Sequence, residues 1–184
     1  MLAKASNSLG ARIMSRTAIH ALSHPPQGIP SAPEPEAELV QTLIAAKQRA
    51  VAAALPFAGS VTPDEAWALF SRNAALLIDV RSAEELKFVG QVPGSRHVPW
   101  MTGLSLTRNP RFLRGLESVA GKSAPLLLLC RSGKRSAAAA EAATKSGFAH
   151  VFNIDEGFEG DLDADQRRGQ LNGWRRAGLP WIQD

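Results

Sequence analysis

The chain has 184 residues, 45% of them hydrophobic, with 21 Lys and Arg against 17 Asp and Glu and one cysteine. That length suits one domain plus a tail; a lone cysteine excludes an internal disulfide and a cysteine-rich zinc site and fits a reducing, cytoplasmic compartment, and no apolar stretch approaches the length of a membrane span. The net charge of +4 sits mostly in the first 33 residues, where Lys4, Arg12 and Arg16 meet no acid, so the remaining 18 basic and 17 acidic residues give no global field that would argue for nucleic acid as a partner.

Residues 1–33 are rich in Ser and Ala and end among Pro25, Pro26, Pro30 and Pro33, which predicts a disordered extension. Its acid-free composition is also that of a transit peptide, so organelle targeting is the alternative to the cytoplasm, and Met14 is an alternative start. Over residues 34–56 acids come first and Lys47 and Arg49 late, with Leu39, Val40, Leu43, Ile44 and Val51 at helical spacing; this is an amphipathic helix, packed on the domain or presented to a partner. Residues 57–184 form the main domain.

Thr62, Pro63 and Glu65 carry the cap, first-turn proline and capping-box signals of a helix through Trp67 and Phe70. Residues 74–80 read as an apolar strand, and Ser82 with Glu85 caps a short helix. Residues 90–99 hold too much Gly and Pro for more than a turn and a short strand, and residues 111–120 read as a helix. Leu126 to Leu129 is the most apolar run and the central strand; an Ala-rich helix follows and ends at Gly147, and residues 150–154 supply the last strand. Strands alternating with helices imply a mostly parallel α/β sheet with its ligand site beyond the C-terminal ends of the strands.

Cys130 stands at such an end. It closes the apolar run and is followed by Arg131, Ser132, Gly133, Lys134, Arg135 and Ser136 at a helix start. Unpaired N–H groups, the positive end of the helix dipole and three cations all favour thiolate over thiol there, and the thiolate is the nucleophile. A cysteine that merely packs in the core needs no such loop.

The segment from Cys130 to Ser136 resembles the active-site loop of the rhodanese-like single-domain sulfurtransferases. Three further segments agree in order: Leu77-Ile78-Asp79-Val80-Arg81 with Glu84-Glu85, Gly90 to Pro99, and Val151-Phe152-Asn153-Ile154 with Glu156-Gly157-Phe158. The tail from Glu156 through Gly173-Trp174-Arg175 to Gly178-Leu179-Pro180-Trp181 resembles that of a bacterial subgroup. The resemblance implies a small five-stranded parallel sheet with helices on both faces. It also implies Cys130 as nucleophile, residues 131–136 as the sulfur-binding loop, and Asp79 and Arg81 as members of a second family motif; a buried ion pair that fixes the strand end under the loop is the role expected for those two, ahead of direct contact with substrate.

Such a loop binds an anion such as thiosulfate, lets the thiolate take its outer sulfur as a persulfide, and passes that sulfur to a thiophilic acceptor. The chemistry needs no metal, no cofactor and no general base; His97 and His150, in apolar strand contexts, are not assigned catalytic roles. Phe158, Trp174 and Trp100 are expected to wall the site mouth and select the acceptor. One competing reading is a cysteine-based phosphatase or arsenate reductase, whose loop has Arg six residues after Cys; here Ser136 stands there and Arg135 comes one earlier. Another is a persulfide carrier or docking module whose acceptor is a protein. Gly121-Lys122-Ser123 lacks the spacing of a phosphate loop, and Asp161, Asp163 and Asp165 lack the Gly and Glu of a calcium loop, since Gln166 and Asn172 occupy those places. Arg167-Arg168 and Arg175-Arg176 read as a solvated face. Oligomeric state is not legible in the sequence.

Overall fold

Four consecutive leucines with no room for a polar face specify a strand covered on both sides, and they form the middle of the sheet. In the computed structural model, which describes residues 35–183, strand β6 (Leu126–Leu129) is buried at every position. It pairs on one side with β2 (Leu76–Asp79) and on the other with β7 (Val151–Ile154). β3 (Arg96–His97) extends the β2 edge and β1 (Gly59–Val61) the β7 edge, giving the order β1-β7-β6-β2-β3 with every pairing parallel. A small hairpin of β4 (Met101–Thr102) and β5 (Thr107–Arg108) stands apart. β1 escapes the sequence reading because three residues carry too little pattern; it exists by pairing with β7. The extension over residues 1–33 lies outside the described residues.

The period-2 alternation of strand side chains divides the core in two. Leu77, Leu127, Leu129, Phe152 and Ile154 face α1 (Pro35–Ala52), α2 (Pro63–Ser71) and the C-terminal tail. Ile78, Leu126, Leu128, Cys130 and Val151 face α4 (Phe112–Val119) and α5 (Lys134–Lys145). Helix α3 (Ala83–Val89) buries no residue fully and follows β2 in the chain, and both it and α2 start in the capping boxes expected from Ser82/Glu85 and Thr62/Glu65.

Helix α1 packs on the domain through only part of its large apolar set. Leu39, Ala46 and Ala50 are buried and Leu43 packs against the core, whereas Val40, Ile44 and Val51 are exposed. The cause is a close approach to β1: a Cβ on Gly59 would lie 2.5 Å from the carbonyl oxygen of Ala46, so this contact admits only small residues. Among the described residues, no helix is long and apolar enough to cross a membrane.

Candidate functional site

Cys130 follows the last residue of the central strand, and the chain turns through residues 131–133 into α5 with Gly133 as N-cap in the left-handed region (φ 81°). Helix α5 has no side-chain cap. Among the described residues, nothing in the protein accepts from the backbone N–H groups of residues 131–136. Six unaccepted donors and the positive end of the helix dipole thus follow directly on the one thiol, an arrangement suited to cradling an anion. Cys130 itself is only 1% exposed, at the floor of this cradle.

The cradle is held from behind by the segment after β7. The N–H of Phe158 donates to the Cys130 carbonyl (2.7 Å) and that of Glu159 to the Arg131 carbonyl (2.9 Å), so the loop's carbonyls point away from the site. Gly157 lies flat against the loop at φ 65°, and a Cβ there would stand 2.5 Å from the Cys130 oxygen and 2.6 Å from the Ser132 nitrogen. Only glycine meets both demands.

The three loop cations differ. Arg131 and Lys134 pair with no carboxylate among the described residues. Arg135 is gripped by Glu85 of α3, its two terminal nitrogens donating to the two carboxylate oxygens at 2.7 and 2.5 Å. Burial pushes the Glu85 carboxyl up, but the Arg135 guanidinium and the Ser82 N–H outweigh it and hold the group below the usual carboxylate range. The same pairing raises Arg135 against the opposing effect of burial, with the Cys130 and Asp79 charges adding to it. Arg135, expected to bind substrate, is thus also a structural cation.

Ser136, expected on the substrate side, is fully buried beneath the sulfur. Its hydroxyl lies 3.1 Å from Cys130 Sγ, 3.0 Å from the Gly133 carbonyl and 2.6 Å from Asn153 Oδ1. Asn153 donates in turn to Asp155 at 2.8 Å.

Asp79 and Arg81 are a fully buried pair at the end of β2, Nε and a terminal nitrogen of the arginine donating to the carboxylate at 3.0 and 2.6 Å. Arg81 also donates to the Gly90 carbonyl (2.8 Å), and its guanidinium stacks 4.0 Å from the centre of the Phe158 ring. The pair therefore clamps the β2 end, the turn at Gly90 and the segment that backs the cradle.

The aromatic residues wall no mouth. Phe158 and Trp174 are fully buried and Trp100 is 5% exposed. The Trp174 ring sits edge-on to Trp67, and its Nε1 donates to the Pro180 carbonyl at 2.9 Å; Trp100 packs edge-on to Phe112 under Arg108. Core burial of these large rings explains the placement. His97 Nε2 donates to the Arg81 carbonyl (2.8 Å), and His150 lies 3.2 Å from the Lys47 amine. The residues that sequence reasoning missed are Glu85 as partner of Arg135, Gly157 as backing, and Asn153. Asn153 had a signal, being the polar residue in an otherwise apolar strand.

A family model described as a rhodanese-like domain matches residues 62–164, more than half of the chain. The chain belongs to the rhodanese-like domain family. Among solved structures it is similar to that of Rv0390 from M. tuberculosis, with a TM-score of 0.64 and 42% identity over 70% of this chain and 99% of that one. Uncharacterized protein RP600 of Rickettsia prowazekii (strain Madrid E) is 36% identical over 61% of this chain and 87% of its own length. Thiosulfate sulfurtransferase GlpE of Pseudomonas putida (strain GB-1) is 31% identical over 54% of this chain and 80% of its own. The rhodanese-like match begins at the N-cap of α2 and ends beyond the segment that backs the cradle, so it contains Asp79, Arg81, Glu85, Cys130, the loop, Asn153 and Phe158.

Proposed function

We propose that the protein is a sulfurtransferase that takes the outer sulfur of thiosulfate, or of a similar anionic donor, onto Cys130 and passes it to a thiophilic acceptor. The observation that carries this reading is the cradle of six unaccepted N–H groups around the single buried thiol. Such a cradle holds a small anion and stabilises negative charge that develops beside it. The Cys130 thiolate attacks the outer sulfur; the donor's S–S bond breaks and sulfite leaves with its electron pair. The persulfide anion that results is stabilised by the unaccepted N–H groups of the loop. An acceptor such as cyanide then takes the terminal sulfur and returns the thiolate.

Arg131 and Lys134 supply the positive field that draws in a dianionic donor, since Arg135 is neutralised by Glu85. The recessed position of Cys130 suits a donor that presents one sulfur atom at its tip. A lone free cysteine that must stay reduced between turnovers fits the cytoplasm. The similarity to thiosulfate sulfurtransferase GlpE supports the choice of donor.

The test is thiocyanate formation from thiosulfate and cyanide by the purified chain and its Cys130→Ala variant, with intact mass read for one added sulfur atom. Turnover that disappears in the variant is the expected result. A chain that gains sulfur without turnover is a carrier that discharges to a protein acceptor, and a chain that gains none is not a sulfurtransferase.

A further inference from the structure

We propose that Asn153 is a positioning residue for the Cys130 sulfur, acting through Ser136, whose hydroxyl proton follows the negative charge through the sulfur cycle. The inference rests on the persulfide reading above and extends it to residues outside the loop.

Strand alternation sets up the contact. Phe152 and Ile154 face the α1 side, so Asn153 faces the α5 side, as do Cys130 and Ser136. The amide of Asn153 can face only one way: its Nδ2 donates to Asp155 at 2.8 Å, and the flipped amide would set two oxygens against each other at that distance. Its Oδ1 therefore meets the Ser136 hydroxyl at 2.6 Å and can only accept. The Gly133 carbonyl, at 3.0 Å, can also only accept. One hydroxyl proton thus has three acceptors: Asn153, Gly133 and, at 3.1 Å, the sulfur.

The charge on sulfur decides among them. While Sγ is neutral, the short bond to Asn153 holds the proton. When Sγ is a thiolate, a charge-assisted bond outranks a neutral one and the hydroxyl turns to sulfur. On loading, the donor's S–S bond breaks, sulfite departs with the electron pair, and the negative charge moves to the terminal sulfur of the persulfide; Sγ becomes neutral and the proton returns to Asn153. On discharge, the acceptor bonds to the terminal sulfur, the Sγ–S bond breaks, and its pair returns to Sγ, where the hydroxyl meets the leaving thiolate. Asn153 gives the buried hydroxyl a partner in the half of the cycle when sulfur does not need it, since an unpartnered buried hydroxyl is costly.

The chain has one cysteine and no tyrosine, so ultraviolet absorbance of the thiolate against pH reports Cys130 alone and needs no reagent to reach it. Four proteins are compared: wild type, Ser136→Ala, Asn153→Leu and the double variant. The charged groups around the loop, Arg131, Lys134, Arg135, Glu85, Asp79, Arg81, Asp155 and Glu156, are unchanged in all four. Ser136→Ala removes the donor and is expected to move the midpoint up by about one pH unit. Asn153→Leu removes the competing acceptor at similar volume and moves it down by about half a unit. In the Ser136→Ala background Asn153→Leu has no effect, because the asparagine acts only through the hydroxyl. Asn153→Ala makes the same comparison if leucine is not accommodated. An Asn153 effect of equal size in both backgrounds, an upward shift, or no shift overturns the proposal. The titration uses no sulfur donor: a chain that titrates as expected without turning over thiosulfate refutes the functional reading alone, and one that turns over with a single midpoint in all four proteins refutes the role of Asn153 alone.

Discussion

Glu85 grips Arg135 through both carboxylate oxygens, across 50 residues of sequence, and so pairs one of the three cations of the loop that follows Cys130. The pair ties the start of α3 to the start of α5 and fixes the orientation of the first turn behind the cradle. Because the folded Glu85 carboxyl titrates below its ordinary value of 4.5, the stability it contributes is present above pH 4.5 and is lost as pH falls through the lowered folded value. Glu85→Gln is expected to cost about 1–3 kcal/mol at neutral pH, with the gap to wild type closing below pH 4.5. Urea unfolding at a series of pH values measures it, and a gap that widens in acid contradicts the assignment.

In the proposed reaction Arg131 and Lys134, which pair with no carboxylate among the described residues, are the cations that meet the donor. Replacing either by Ala is expected to raise KM for thiosulfate about three- to tenfold with a smaller change in kcat, an effect that weakens as ionic strength rises. Steady-state kinetics at low and high salt provide the check.

Gly157 has neither the space nor the backbone conformation for a side chain. Gly157→Ala is expected to displace the loop carbonyls of Cys130 and Arg131 and to lower thiosulfate turnover by tenfold or more, since small misplacements at a reacting centre have large effects on rate. Circular dichroism should still show the folded chain; turnover within twofold of wild type would mean that the backing segment does not set the loop geometry.

Removing one member of a buried ion pair leaves the other charged and unpartnered. Asp79→Ala is expected to destabilise by about 3–5 kcal/mol, because Arg81 remains in the core with only the Gly90 carbonyl and the Phe158 ring as partners. Guanidinium unfolding measures this. A loss under 1 kcal/mol would show that Arg81 reaches water in the variant.

Trp174 acts in the core. Trp174→Ala is expected to cost about 3–5 kcal/mol through the cavity it leaves beside Trp67, while the ratio of rates with cyanide and with a small thiol acceptor stays as in wild type. A changed ratio with unchanged stability would restore the mouth-wall role that burial argues against.

Much of the site is legible without coordinates. The apolar run into Cys130, the Gly-containing basic loop and the Ala-rich stretch give strand, loop and helix in that order, because the apolar pattern and helix propensity act over a few residues. Both capping boxes follow from three-residue spacings for the same reason. Less legible were the strand Gly59–Val61, which has no pattern of its own, and which part of α1's apolar set is buried, since Ala46 meets Gly59 closely while Val40, Ile44 and Val51 are left outside.

The sequence by itself determined the alternating α/β order and the place of Cys130 and its basic loop between the central strand and the helix after it, all carried by residues adjacent in the chain. Only the tertiary structure decided that Arg135 pairs with Glu85, that Ser136 lies under the sulfur with its hydroxyl also within reach of Asn153, that Gly157 backs the cradle, and that Trp174 is core. The reason is physical: a pattern tells which face a side chain takes, but its partner 17 or 50 residues away is fixed only when the sheet closes and the helices pack against it.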